Sequence, residues 1–113
     1  GAYQAWCFGP VVELDGKAIS GIVNGISRQN PRSAVGYFEA GHYCFVCVEG
    51  RSDESRGMTL DELGELFELL GCELGYNMDG GNSAAMTFEE SLVNTPSWGG
   101  RATSDILYIA ELE

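Results

Sequence analysis

"MTLDELGELFELLG", residues 58–71, is the stretch that decides the fold class. Thr59, followed three residues on by Glu62, reads as a capping box that supplies partners to the free amides of a helix start. Met58, just ahead of the cap, can staple onto Leu63. Leu60, Leu63, Leu66, Phe67 and Leu70 recur at helical spacing and share one face. Gly71 supplies a left-handed stop. The other face carries Asp61, Glu62, Glu65 and Glu68 and reads as solvated. An amphipathic helix needs a second layer to bury its stripe, and the remaining segments read as strands and loops.

Downstream, Cys72–Met78 leads inward as a short strand, and Ser83–Phe88 leads away from a glycine turn. Glu89, Glu90 and Ser91 make another turn, and Ile106–Ala110 reads as a closing strand. Upstream, Val11–Leu14 and Lys17–Ile19 flank Asp15-Gly16 as a hairpin. Ser20 to Pro31 is a loop. Ser33–Tyr37 and His42–Glu49 form a second extended pair, broken at Glu39-Ala40-Gly41, before a charged loop from Gly50 to Gly57. The expected fold is α+β: mostly short antiparallel or mixed strands, with one main helix at about 59–71 packed on the sheet. The 113 residues, 44% hydrophobic and 20% charged, suit one domain with its own core. No repeat, low-complexity linker, basic-apolar leader or membrane-length apolar run is present.

Six cations stand against 17 acids, for a formal net charge of −11. That surface repels nucleic acid and anionic membrane, so neither is expected as a partner. An anion can be held only where the few cations gather, at Lys17, Arg28, Arg32, Arg51, Arg56 or Arg101. Cys44 and Cys47 form a CxxC, but on the strand-like "HYCFVCVE" they point to opposite faces. They read as buried small apolar residues rather than a metal or redox pair, and the four cysteines, Cys7 and Cys72 included, leave the redox compartment open. His42 reads as structural. Tyr37, Phe38, Tyr43, Phe45, Tyr76 and Phe88 read as core.

Three arginines stand beside turns: Arg32 in "NPR", Arg51 in "EGR" and Arg101 in "GGR". A guanidinium is a rigid fork suited to phosphate or carboxylate. The plainer reading of each is pairing with a nearby acid. In "GYNMDGGNSAAM", Gly75–Met86, Asp79 precedes Gly80, Gly81, Asn82 and Ser83. The glycines read as letting a ligand reach the main chain, where exposed amides make an anion nest. From spacing alone an ordinary β-turn is the plainer reading. The run matches neither a dinucleotide fingerprint nor a P-loop. Trp98, in the loop before Arg101, is the aromatic best placed to stack on a sugar ring.

"CFGPVVELDGK", "NPRSAVGY", "VEGR", "GMTLDELGELFELLGC", "YNMDGGNSAAM" and "GGRATSDILYI" follow one another as in the phosphodiester glycosidase family. These are bacterial relatives of N-acetylglucosamine-1-phosphodiester alpha-N-acetylglucosaminidase, the uncovering enzyme. The resemblance runs from about Cys7 to Ile109, and it implies that the chain, 1–113, is the C-terminal part of that domain. The resemblance implies hydrolysis of a sugar-1-phosphodiester at its C1–O bond, releasing sugar and a phosphomonoester. It assigns Asp79 as base or nucleophile, Arg32 and Arg101 as phosphate ligands, and Glu49 and Arg51 as positioning groups, with Gly80, Gly81, Asn82 and Ser83 completing the cradle. Glu49 stands where the family has Asp, and Ala84 where it has a hydroxyl, so the substrate differs in detail. A non-catalytic sugar-phosphate or cell-wall glycan binder and an inactive fragment are the alternatives. No cofactor or metal ligand is implied, and a divalent metal near Asp79 is left open. By the same analogy the location is extracytoplasmic or at the bacterial cell surface, with strand edges free for homo-oligomers.

Overall fold

The computed structural model describes residues 1–111. Strands β1 (Val11–Leu14), β2 (Lys17–Ala18), β3 (Arg32–Glu39) and β4 (His42–Val48) precede helix α1 (Leu60–Leu70); β5 (Leu74–Asn77), β6 (Thr87–Phe88) and β7 (Ser91–Leu92) follow it. The main sheet has five strands in the order β2-β1-β5-β3-β4, every neighbouring pair antiparallel. The fold is α+β. Strands β6 and β7 form a separate hairpin.

The helix ends as its sequence dictates. Thr59 accepts the Glu62 amide at 3.1 Å, and Gly71 closes the helix at φ 86°. Its acidic face is not merely solvated. Asp61 accepts the amides of Gly21 and Ile22, Glu68 accepts that of Ala18, and Glu62 takes both arms of Arg56. The helix therefore fastens the loop after β2 to itself, a contact between distant residues that no local pattern announces.

Leu60, Leu63 and Phe67 are buried beside Val12, Ala34 and Cys72, while Leu66 is half-buried and Leu70 nearly half exposed. Glycines set the closeness of the layers. A Cβ on Gly64 would lie 2.2 Å from the Val12 carbonyl oxygen, and one on Gly75 would lie 2.4 Å from the Phe67 ring. Gly36 pairs with Gly75 across β3 and β5, so Phe67 lies in a dent made by two bare positions. A bulge between Val11 and Glu13 lets consecutive residues Val12 and Glu13 both be buried.

Two expectations are corrected. Among the described residues Ile106–Ala110 has no strand partner, and Ile106, Tyr108 and Ile109 are exposed. An isolated extended segment has nothing to satisfy its ladder groups, so apolar alternation alone does not make a strand. The expected aromatic core holds only in part: Phe38 packs at the edge of the core, and Tyr37 and Tyr76 are half-buried. Tyr43, Phe45 and Phe88 are exposed, and Phe67 alone of the aromatics is fully buried among the described residues. His42 stacks on Phe38 with ring centroids 4.2 Å apart, consistent with a structural role.

Candidate functional site

Antiparallel pairing gathers the candidate residues at one end of the sheet. Arg32 opens β3 opposite Val48, the last residue of β4, and Ala34 faces Asn77, the last of β5. The segments after β4 and β5, with Glu49–Arg51 and Asp79–Ser83, therefore leave the sheet beside the start of β3.

The two glycines of "DGG" are explained by packing. A Cβ on Gly80 would meet the Pro31 carbonyl oxygen at 2.7 Å, and the Gly81 amide donates to that same oxygen at 2.9 Å. Gly81 has φ 59°, and a Cβ there would press the Arg51 guanidinium at 3.2 Å. The turn is tight because it docks on Asn30-Pro31, with Arg51 laid over it. Residues Gly81–Ser83 form a single 3-10 turn.

Arg51 is the central finding. Its Nη1 donates to Asn82 Oδ1 and its Nη2 to Asn30 Oδ1, each at 2.9 Å. Both acceptors are neutral amides, and no carboxylate lies within ion-pair distance among the described residues. The guanidinium is thus aimed without being neutralised, as an anion site requires. Arg51 itself sits at φ 57°, a conformation non-glycine residues adopt rarely and often at functional positions. Asn30 was not singled out from the sequence, although its place in "NPR" beside Arg32 was a usable signal.

Arg32 has a different task. It is 3% exposed, with Nε donating to the Met58 carbonyl at 2.9 Å and Nη2 to that of Ile26 at 2.7 Å. A second acceptor for Nη2 is the Arg28 carbonyl. Burial lowers its pKa from the usual guanidinium value. With its Nε and Nη2 held by these carbonyls and only 3% of its surface exposed, Arg32 has a structural role that the expectation of a phosphate ligand did not include. Arg101 is exposed at the head of the irregular C-terminal segment, and no side-chain partner is found for it among the described residues.

A cavity of about 550 Å³ lies against Arg51, lined also by Glu49, Ser52, Thr95, Ser97 and Trp98. Glu49 is half-buried and receives the Thr95 amide on Oε1. Ser97 is buried, and among the described residues neither its hydroxyl nor that of Ser83 has a partner. Trp98 is 84% exposed at the rim, held at φ 53°, ψ 33° in the 3-10 turn Ser97–Gly99. Asn94 steadies this region, donating to the Ala84 carbonyl and accepting the Met86 amide. Asp79 is exposed just past β5 and is not in the cavity wall. Thr95 and Ser97 carried no local signal that would have singled them out. Among the described residues no three His, Cys, Asp or Glu side chains converge in a metal-binding group, and no helix is long and apolar enough to cross a membrane.

The sequence profile described as phosphodiester glycosidase matches residues 1–110. A curated relative, the SPbeta prophage-derived uncharacterized protein YomE of Bacillus subtilis (strain 168), is 31% identical over 114 residues, covering 97% of this chain and 18% of its own. A hypothetical protein from Synechocystis superposes with a TM-score of 0.67 at 21% identity, over 82% of this chain and 18% of that one. The catalytic domain of zebrafish N-acetylglucosamine-1-phosphodiester alpha-N-acetylglucosaminidase, auto-inhibited by its pro-peptide, superposes at 0.66 with 22% identity. That match covers 83% of this chain and 35% of the zebrafish chain. At these identities the solved structures speak for the fold. The chain spans less than a fifth of the curated relative's length.

Proposed function

The chain belongs to the phosphodiester glycosidase family, and on that premise we propose that it binds a sugar joined through C1 to a phosphodiester and serves the hydrolysis of that C1–O bond. The observation that carries this reading is Arg51, a cation fixed by two neutral amides at the wall of an open cavity. A departing phosphate already carries its charge and needs electrostatic stabilisation more than a proton. Arg51 takes that role, with Arg101 as a second cation. The sugar lies toward Trp98, where ring stacking suits the exposed indole.

An oxocarbenium-like transition state requires a carboxylate near C1. Asp79 is assigned that role by the family motif, and Glu49, oriented by the Thr95 amide, positions the substrate. A binding module without turnover is the second reading. It is favoured by one observation, that Asp79 is absent from the cavity wall. Location outside the cytoplasm or at a cell surface follows from family analogy.

Phosphorus NMR of the chain with a panel of sugar-1-phosphodiesters tests both readings beside Asp79→Asn. Phosphomonoester appearing with free sugar only in the parent is the expected result. A diester signal that shifts equally in both proteins without conversion supports the binding module. No shift and no conversion removes the proposal.

A further inference from the structure

Four free thiols are present, at Cys7, Cys44, Cys47 and Cys72. The fold separates the neighbours in sequence and joins strangers. Cys44 and Cys47 both lie on β4, where a spacing of three sends them to opposite faces. Cys44 instead meets Cys72, with the two sulfurs 4.0 Å apart. Register explains the meeting. Gly36 pairs with Cys44 on one side and Gly75 on the other, and the chain passes through Cys72 between α1 and β5. A Cβ on Gly36 would lie 2.7 Å from Cys44 Sγ and 2.8 Å from Cys72 Sγ. Both sulfurs therefore converge over a position kept bare, beside the Phe67 ring. Cys72 is 1% exposed and Cys44 is half-buried.

We infer that Cys44 and Cys72 form a reversible disulfide, a modification site that ties the edge strand β4 to the segment between α1 and β5. Closure brings the sulfurs from 4.0 Å to a bond of about 2 Å. The oxidant is a low-molecular-weight disulfide such as glutathione disulfide. Cys44, the more exposed thiol, loses its proton and attacks one glutathione sulfur, releasing one glutathione as thiolate. Cys72 then loses its proton and displaces the second glutathione from Cys44, forming the protein disulfide. Two glutathione molecules leave with the two protons and two electrons. Burial, and then the neighbouring Cys44, push the Cys72 thiol up to about 12, which makes Cys44 the entry point and Cys72 the slower, resolving partner. The bond braces β4 four residues ahead of Val48, whose next residues, Glu49 to Arg51, line the cavity.

The test incubates the folded chain with glutathione disulfide, then counts thiols after denaturation and maps peptides by mass spectrometry. The expected result is one cross-linked peptide joining Cys44 to Cys72, two hydrogen masses lighter than the two free peptides together, with any glutathione adduct confined to the exposed Cys7. The folding equilibrium of the oxidised chain should shift toward the folded state by on the order of a hundredfold, a typical gain for a natural disulfide. Cys72→Ala should trap glutathione on Cys44, and Cys44→Ser should abolish the cross-link while leaving the fold intact by circular dichroism. Four unchanged thiols, a lasting glutathione adduct on Cys44 of the parent, or a bridge through Cys7 or Cys47 would each overturn the inference.

Discussion

Arg32 and Arg51 are both arginines beside turns, and the fold gives them opposite work. Arg32 stitches three loop carbonyls together from a buried position. Arg32→Met should therefore destabilise by about 3 kcal/mol or more, because those acceptors lose a charged donor; urea titration measures it. Arg51→Ala should leave the urea midpoint close to the parent's yet weaken phosphodiester binding at least about tenfold, the scale of one charge-assisted fork. Equal loss of stability in both variants would dissolve the distinction. Glu13 makes a further residue-scale case. It is fully buried, neither carboxylate oxygen has a partner among the described residues, and burial, then Glu73 and Glu68, raise its pKa above 4.5. The folded chain thus keeps this proton at pH values where the unfolded chain has released it. Its contribution is fully favourable below about pH 4.5, is lost as pH rises toward the raised value, and is constant beyond. Relative to Glu13→Gln, the parent should therefore gain thermal stability on acidification from pH 7 toward 4.5. A flat difference between the two melting profiles would remove Glu13 as a strained acid.

At the scale of elements, α1 and the sheet are matched through glycine. The Phe67 ring occupies the space that a Cβ on Gly75 would need. Gly75→Ala should cost about 1–3 kcal/mol by overpacking, and Phe67→Leu should cost less in that background than in the parent. A double-mutant cycle measured by denaturant unfolding gives the coupling; additive costs would mean that the two sites do not share the space. Thr59→Ala should cost about 1 kcal/mol through loss of the helix cap. The helix, its cap and its glycine stop were legible because each depends on residues within one or two turns. The closing strand expected at Ile106–Ala110 does not form because a strand exists only through its neighbour, and the described residues supply none there.

The whole molecule is a slab of about 40 × 38 × 23 Å, a thickness set by one helix layer on one sheet. The face of the sheet away from α1 carries Val35 and Tyr37 of β3 and Tyr43 and Phe45 of β4, with Tyr43 54% and Phe45 36% exposed. This apolar face, more than the strand edges alone, is where a second copy would gain by docking, while the net charge of −11 opposes association at low salt. Sedimentation velocity should show association growing with protein concentration and with salt, and a Tyr43→Lys, Phe45→Lys variant should stay monomeric. A parent that is monomeric at every concentration and salt would leave that face without a partner in its own kind.

By itself the sequence determined the helix, the hairpins, the acidic surface and the family, because caps, turn residues, charge and ordered motifs are local or cumulative properties of the chain. Only the tertiary structure decided which arginine is buried and which is free, since both stand beside similar turns and differ in the distant carbonyls and amides that reach them. It decided likewise that the "DGG" glycines serve docking on Pro31, that Asp61 and Glu68 hold a loop, and that Cys44 faces Cys72 rather than Cys47. Each of these rests on strand register, which brings residues tens of positions apart to within a few ångströms. No window along the chain contains that information.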